Sequence, residues 1–167
     1  MKIRRRIPSE IATAVGIERA DRALAWTTDG NGRYIVATEG SLILQRNPPS
    51  YERIGWEAID QASYADGVLS LTLLPQGDDA PAHLRIPVGD EPELPIAVRD
   101  RVTASIVLNQ HVPLQGRRGV RVVARRRSGD RDLRWGYVFD SDLDADAVLR
   151  AQAARLVEQV RSESGLA

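Results

Sequence analysis

Cysteine is absent from this chain of 167 residues. That absence excludes disulfide frameworks, thiolate metal sites, Cys-X-X-Cys redox chemistry and cysteine nucleophiles together. Lysine is nearly absent too, since Lys2 is the only one; the remaining basic residues are arginine, a bias that GC-rich coding produces without selection for guanidinium chemistry. Basic and acidic residues balance at 23 each, for a formal net charge of zero. No global field therefore favours nucleic acid or an anionic membrane, and any such preference must be local. Long apolar runs are missing as well, and nothing approaches the roughly 18 consecutive apolar residues of a membrane helix. The basic start, Met1-Lys2-Ile3-Arg4-Arg5-Arg6, has the charge of a signal peptide. The segment behind it is too short in apolar content and is flanked by Glu10 and Glu18, so it does not read as an export sequence. A soluble, cytoplasmic protein is expected, long enough to bury a core of its own.

What is present is an order of elements. Residues 8–15 read as a short helix, with Ser9 placed to cap its start and Gly16 its end. Seven strand-like segments follow, at residues 22–28, 34–38, 41–46, 51–54, 61–65, 68–74 and 83–88. Asp29-Gly30-Asn31-Gly32, Glu39-Gly40 and Asp66-Gly67 supply reversals, because Asp, Asn and Gly accept the positive φ of tight hairpins. Residues 55–59 read as one helical turn. Leu94, Val98, Val102 and Ile106 then recur every four residues and predict a helix over 94–109, with Pro95 suited to its first turn. The seam of the chain is expected in a loop over 112–119.

A second unit is expected beyond the seam. Val120, Val122 and Ala124 alternate with Arg121, Val123 and Arg125, and Ser128-Gly129-Asp130 turns the chain into Leu133, Trp135, Tyr137 and Phe139. Those four large residues share a face that needs a cover. The final helix provides one through Leu149, Ala153, Leu156, Val157 and Val160, with Asp142, Asp144 and Asp146 at its start to complement the macrodipole. Three units are therefore expected: 1–20, an N-terminal segment with a short helix; 21–112, a barrel with its capping helix; and 117–167, a β-hairpin and helix packed on the same domain.

Strands in meanders followed by a capping helix resemble the bacterial pleckstrin-homology fold. The features that carry the resemblance are Trp26, the Tyr34-Ile35-Val36-Ala37-Thr38 strand, the segments 53–59 and 66–71, and the helix at 94–109. The strings at 22–26, 101–108 and 111–114 are similar to an uncharacterised actinobacterial protein family. The resemblance implies an α+β fold, a pleckstrin-homology-like antiparallel β-barrel closed by a helix, and a scaffold used for binding. It attaches no activity. Inositol-phosphate binding in such folds uses a basic first hairpin, and residues 29–33 hold only Arg33 there.

The sharpest local anomaly is the basic run containing Arg117, Arg118, Arg121, Arg125, Arg126, Arg127, Arg131 and Arg134 against Asp130 and Asp132. Guanidinium groups present a forked donor set and a charge that survives physiological pH, so the run is a candidate anion site. The competing reading is a solvated hairpin face, with Arg121, Arg125 and Arg134 opposite the apolar side. His83 and His111 lie in no metal-ligating or nucleophile pattern. Asp142, Asp144 and Asp146 have calcium-loop spacing but lack its glycine and distal glutamate, which leaves helix capping. Trp26, Trp56 and Trp135 read as core or barrel-end residues. No catalytic motif, cofactor or metal site is expected. The leading expectation is a non-catalytic module for a protein partner or self-association, through a sheet edge or the terminal unit. The alternative is anion binding, to nucleic acid or an acidic headgroup, by the hairpin at 117–134.

Overall fold

The computed structural model describes residues 6–77 and 79–166, so the first part of the basic N-terminal run lies outside the described residues. Four strands form the first sheet as an antiparallel meander: β1 (Ala23–Thr28), β2 (Tyr34–Thr38), β3 (Ser41–Gln45) and β4 (Tyr51–Gly55). β2 and β3 are apolar along nearly their whole length rather than alternating, and the structure shows why. Ile35, Ala37, Leu42 and Leu44 face a central core, while Val36 and Ile43 face outward onto Ile11 and Val15. Ile11 belongs to the short helix α1 (Ser9–Ala14), so the sheet is covered on both sides. Pro8, not Ser9, holds the N-cap position of α1, and no side chain caps it. The Ser9 carbonyl instead accepts from the Thr13 hydroxyl at 2.9 Å.

A single 3-10 turn, Trp56–Ala58, carries the chain into the second sheet. This sheet is β5 (Ile59–Ala65), β6 (Val68–Leu73) and β7 (His83–Pro87), again in sequence order. Asp66 and Gly67 both take positive φ, 52° and 74°, as a two-residue hairpin of matching twist requires. Trp56 is buried, and its indole N–H donates to the Thr38 carbonyl at 3.1 Å, tying this corner to the first sheet. β5 pairs with β6 through Ile59↔Leu73 and Gln61↔Thr72, which leaves Asp60 as the extra residue of a bulge. Bulges re-aim side chains, and this one turns Asp60 into the interior.

The helix α2 runs from Glu93 to Ser105 and buries Leu94, Val98 and Val102 against both sheets. Each such side chain contributes about 2 kcal/mol of burial. Two expectations are corrected here. The helix stops at Ser105 instead of continuing to Asn109, and the first seven strands form two separate sheets instead of a closed barrel. α2 packs its apolar stripe between the two sheets, in contact with both β1 and β5.

The chain leaves α2 directly into β8 (Ile106–Gln115), which pairs with β9 (Arg118–Arg126), and β9 with β10 (Leu133–Phe139). The terminal hairpin is thus a three-stranded sheet. The seam lies at Ser105–Ile106, residues 112–119 are strand and tight turn, and His111 sits on β8 rather than at a helix end. β-branched Ile106 and Val107 suit the strand, although their spacing continued the helical stripe. The last helix, α3 (Ala147–Ser164), packs Val157 and Val160 on Val122, Trp135 and Tyr137, the cover expected for that face. Asp146 caps α3, accepting from the Leu149 N–H at 2.8 Å. Among the described residues, no helix is long and apolar enough to cross a membrane.

The β8–β9 pairing tolerates no side chain at Gly119 of β9, where an added methyl would collide with the Val112 carbonyl and the Pro113 backbone. Gly119→Ala is expected to cost about 1–3 kcal/mol, the range for overpacking a tight site, measured as a fall in the urea midpoint.

Candidate functional site

The expected arginine cluster is divided by the fold. Arg117, Arg126, Arg127 and Arg131 are exposed, Arg134 is half-buried, and Arg118 pairs with Asp142 at 3.0 Å. Arg125 is corrected outright: it lies in the interior, 1% exposed, not on a solvated face. Arg121 and Arg125 are four apart on β9, so both point to the side opposite α3, onto the body of the protein. There they meet Asp60, itself buried. Asp60 Oδ2 accepts from Arg121 at 2.7 Å, and Oδ1 accepts from both Arg121 at 3.2 Å and Arg125 at 3.3 Å. Arg125 also donates to the Asp60 carbonyl at 2.9 Å, the Ser105 hydroxyl at 3.2 Å and the Val102 carbonyl at 3.4 Å. The last two contacts place a cation at the C-terminal end of α2, where the orphan carbonyls carry partial negative charge. Burial pushes the Arg125 guanidinium below its ordinary value, Asp60 pulls it back up and the nearby Arg121 charge adds to the lowering. This constellation is a structural joint between sheets, and it removes Arg121 and Arg125 from any surface anion site.

The histidines are separated. His83 Nδ1 lies 3.3 Å from the Thr72 hydroxyl on the second sheet, and His111 Nε2 lies 3.0 Å from Asp140 on the third. The His111 hydrogen bond, with a second from the Gly119 N–H at 2.7 Å, holds the Asp140 carboxyl below the usual carboxylate range. Of the three acidic residues before α3, Asp146 caps the helix and Asp142 pairs with Arg118. Trp26 and Trp135 are half-buried.

The feature that stands out is a groove of about 1180 Å³ between β1 and α2. β1 is the edge of its sheet. The Asp29 N–H donates to the Arg33 carbonyl, and the Tyr34 N–H is directed to the Gln45 side chain across β3, at 2.9 Å each. The pair Thr28↔Tyr34 is therefore not hydrogen-bonded, and by the two-residue repeat neither is Trp26↔Val36. Trp26 and Thr28 consequently present their backbone groups to the groove. The opposite wall is Glu93, Ile96, Ala97, Asp100 and Arg101, one stripe of α2 at helical spacing. Ile96, 57% exposed, stands in the middle of that stripe. Arg22 and Glu39, paired with one another, stand in the lining too, as does Glu91. A smaller recess of about 340 Å³ lies along another stripe of α2, beside β5, with Gln61, Ser63, Arg99, Thr103 and Ile106.

Two functional elements escaped the sequence reading. Asp60 fell between the helical turn and the expected strand, though two arginines four apart on one strand face call for a shared acid. The groove wall was hidden by the Leu94, Val98, Val102 stripe. Ile96, an apolar residue off that stripe, was its signal.

No family model, no curated protein and no solved structure matches the chain.

Asp60→Ala leaves a buried guanidinium without its carboxylate and is expected to cost about 3–5 kcal/mol, read from chemical denaturation. Asp140 works through its depressed pKa. Its contribution to stability is present above its ordinary value of 3.8 and is lost as pH falls through the lower folded value. In Asp140→Asn, thermal unfolding followed from pH 6 to pH 2 is expected to lose part of that acid-side slope.

Proposed function

We propose that the chain is a non-catalytic cytoplasmic binding module whose first two sheets and α2 form a pleckstrin-homology-like scaffold. The groove between β1 and α2 receives an extended segment of a protein partner. The order of a four-stranded meander, a three-stranded meander and a helix packed on both supports the scaffold. One observation carries the function: among the described residues, β1 offers unpaired backbone groups along an open edge, facing a helical wall with an exposed isoleucine at its centre. A peptide strand added there would satisfy the Trp26 and Thr28 backbone groups, and its side chains would meet Ile96 and the half-buried Trp26. Neither histidine lines this groove, whose charged lining residues are Arg22, Glu39, Glu91, Glu93, Asp100 and Arg101.

Selection of a displayed random peptide library on the folded chain tests this reading. Enriched peptides are expected to lose about tenfold or more in affinity for Ile96→Asp, whose substituted residue lies at the surface and leaves the fold intact. Equal binding to both proteins, or no enrichment at all, would overturn it.

A further inference from the structure

We infer that the groove's occupant is a basic, alternating strand of the form cation, any residue, apolar residue, any residue, cation. The inference rests on the binding reading above and names the chemistry of its partner. The charges along the groove are unequal. Arg22 is paired with Glu39, so Glu91, Glu93 and Asp100 face only Arg101. All three acids are exposed, and among the described residues none of them forms an ion pair. The chain as a whole is neutral, so this local excess is not a by-product of composition.

The spacing supplies the pattern. Along α2, Glu93 precedes Ile96 by one turn and Asp100 follows it by one, distances of about 4.5 and 6 Å along the helix axis. On an added strand, side chains of one face recur about every 6.6 Å. A strand lying along α2, with its middle side chain on Ile96, brings its neighbours on the same face to Glu93 on one side and Asp100 on the other. The flexible stem of lysine or arginine takes up the remaining mismatch, and its methylenes lie along the apolar wall. The intervening side chains point away from the helix, to the Trp26 side of the sheet, where the pattern leaves their identity open. β1 is six residues long, which matches a ligand of about five.

The probe is the synthetic peptide Ser-Lys-Thr-Val-Thr-Lys-Ser, compared with its charge-reversed counterpart Ser-Glu-Thr-Val-Thr-Glu-Ser. Amide exchange and chemical shifts of the isotope-labelled full chain are followed during titration. The lysine peptide is expected to bind about tenfold more tightly, as two surface ion pairs, set against repulsion in the reversed peptide, allow. It should also slow exchange of the Trp26 and Thr28 amides. The advantage should vanish in the double variant Glu93→Gln, Asp100→Asn, whose changes are confined to exposed positions. Equal affinities, with both peptides slowing those two amides, would overturn the basic pattern while leaving the groove reading in place. Failure of both peptides to slow them would also overturn this inference, and the library selection then decides the reading separately. Protection of Trp26 and Thr28 that grows with protein concentration, without peptide, would make a second copy the occupant and overturn it as well.

Discussion

A carboxylate taken out of water must be met by cations, and Asp60 is met by two. The Asp60, Arg121 and Arg125 contacts join three pieces of the protein: the second sheet supplies the acid, the third supplies both bases, and α2 ends on Arg125. Burying three charges is costly, and their attraction and hydrogen bonds offset that cost only while the geometry holds. The arrangement therefore contributes more to position than to net stability. It fixes the register of the third sheet against the body, where apolar contacts alone, through Leu74, Val123 and Val138, would permit sliding. The bulge in β5 is what directs Asp60 there.

The same joint governs where α2 stops. Ser105 donates its hydroxyl to the Val102 carbonyl at 2.7 Å while accepting from Arg125. With its terminal carbonyls thus engaged, the helix gives way to strand at Ile106. α2 is thereby held at one end by a charged clamp and along one face by the core, and among the described residues its Glu93 to Arg101 stripe lines the groove uncovered. A wall so fixed makes the space beside β1 a groove instead of a hinge. It also stands beside the open edge of β1, and a helix so placed limits the edge-to-edge growth that such an edge invites.

Much of this was legible in the residues. Alternation located the strands, Asp66-Gly67 located a hairpin, and the large residues of β10 required the cover that α3 provides. What could not be read was the destination of faces. Ile106 satisfied a helical stripe and a strand equally well, and only pairing with β9 decides between them. Arg125 sits in a sequence of arginines that all look alike, and its burial depends on an acid far away in the chain. Propensity is local, whereas the burial of a charge is settled by its partner.

Every sheet in the protein is a meander of sequence neighbours, so each ladder closes a short loop at small entropic cost. The contact between Asp60 and Arg125 spans 65 residues. The topology thus divides assembly into inexpensive local steps and distant closures, and the charged joint belongs to the distant ones. The joint is consequently a check on completion: its charges find each other only after both flanking sheets exist to present them.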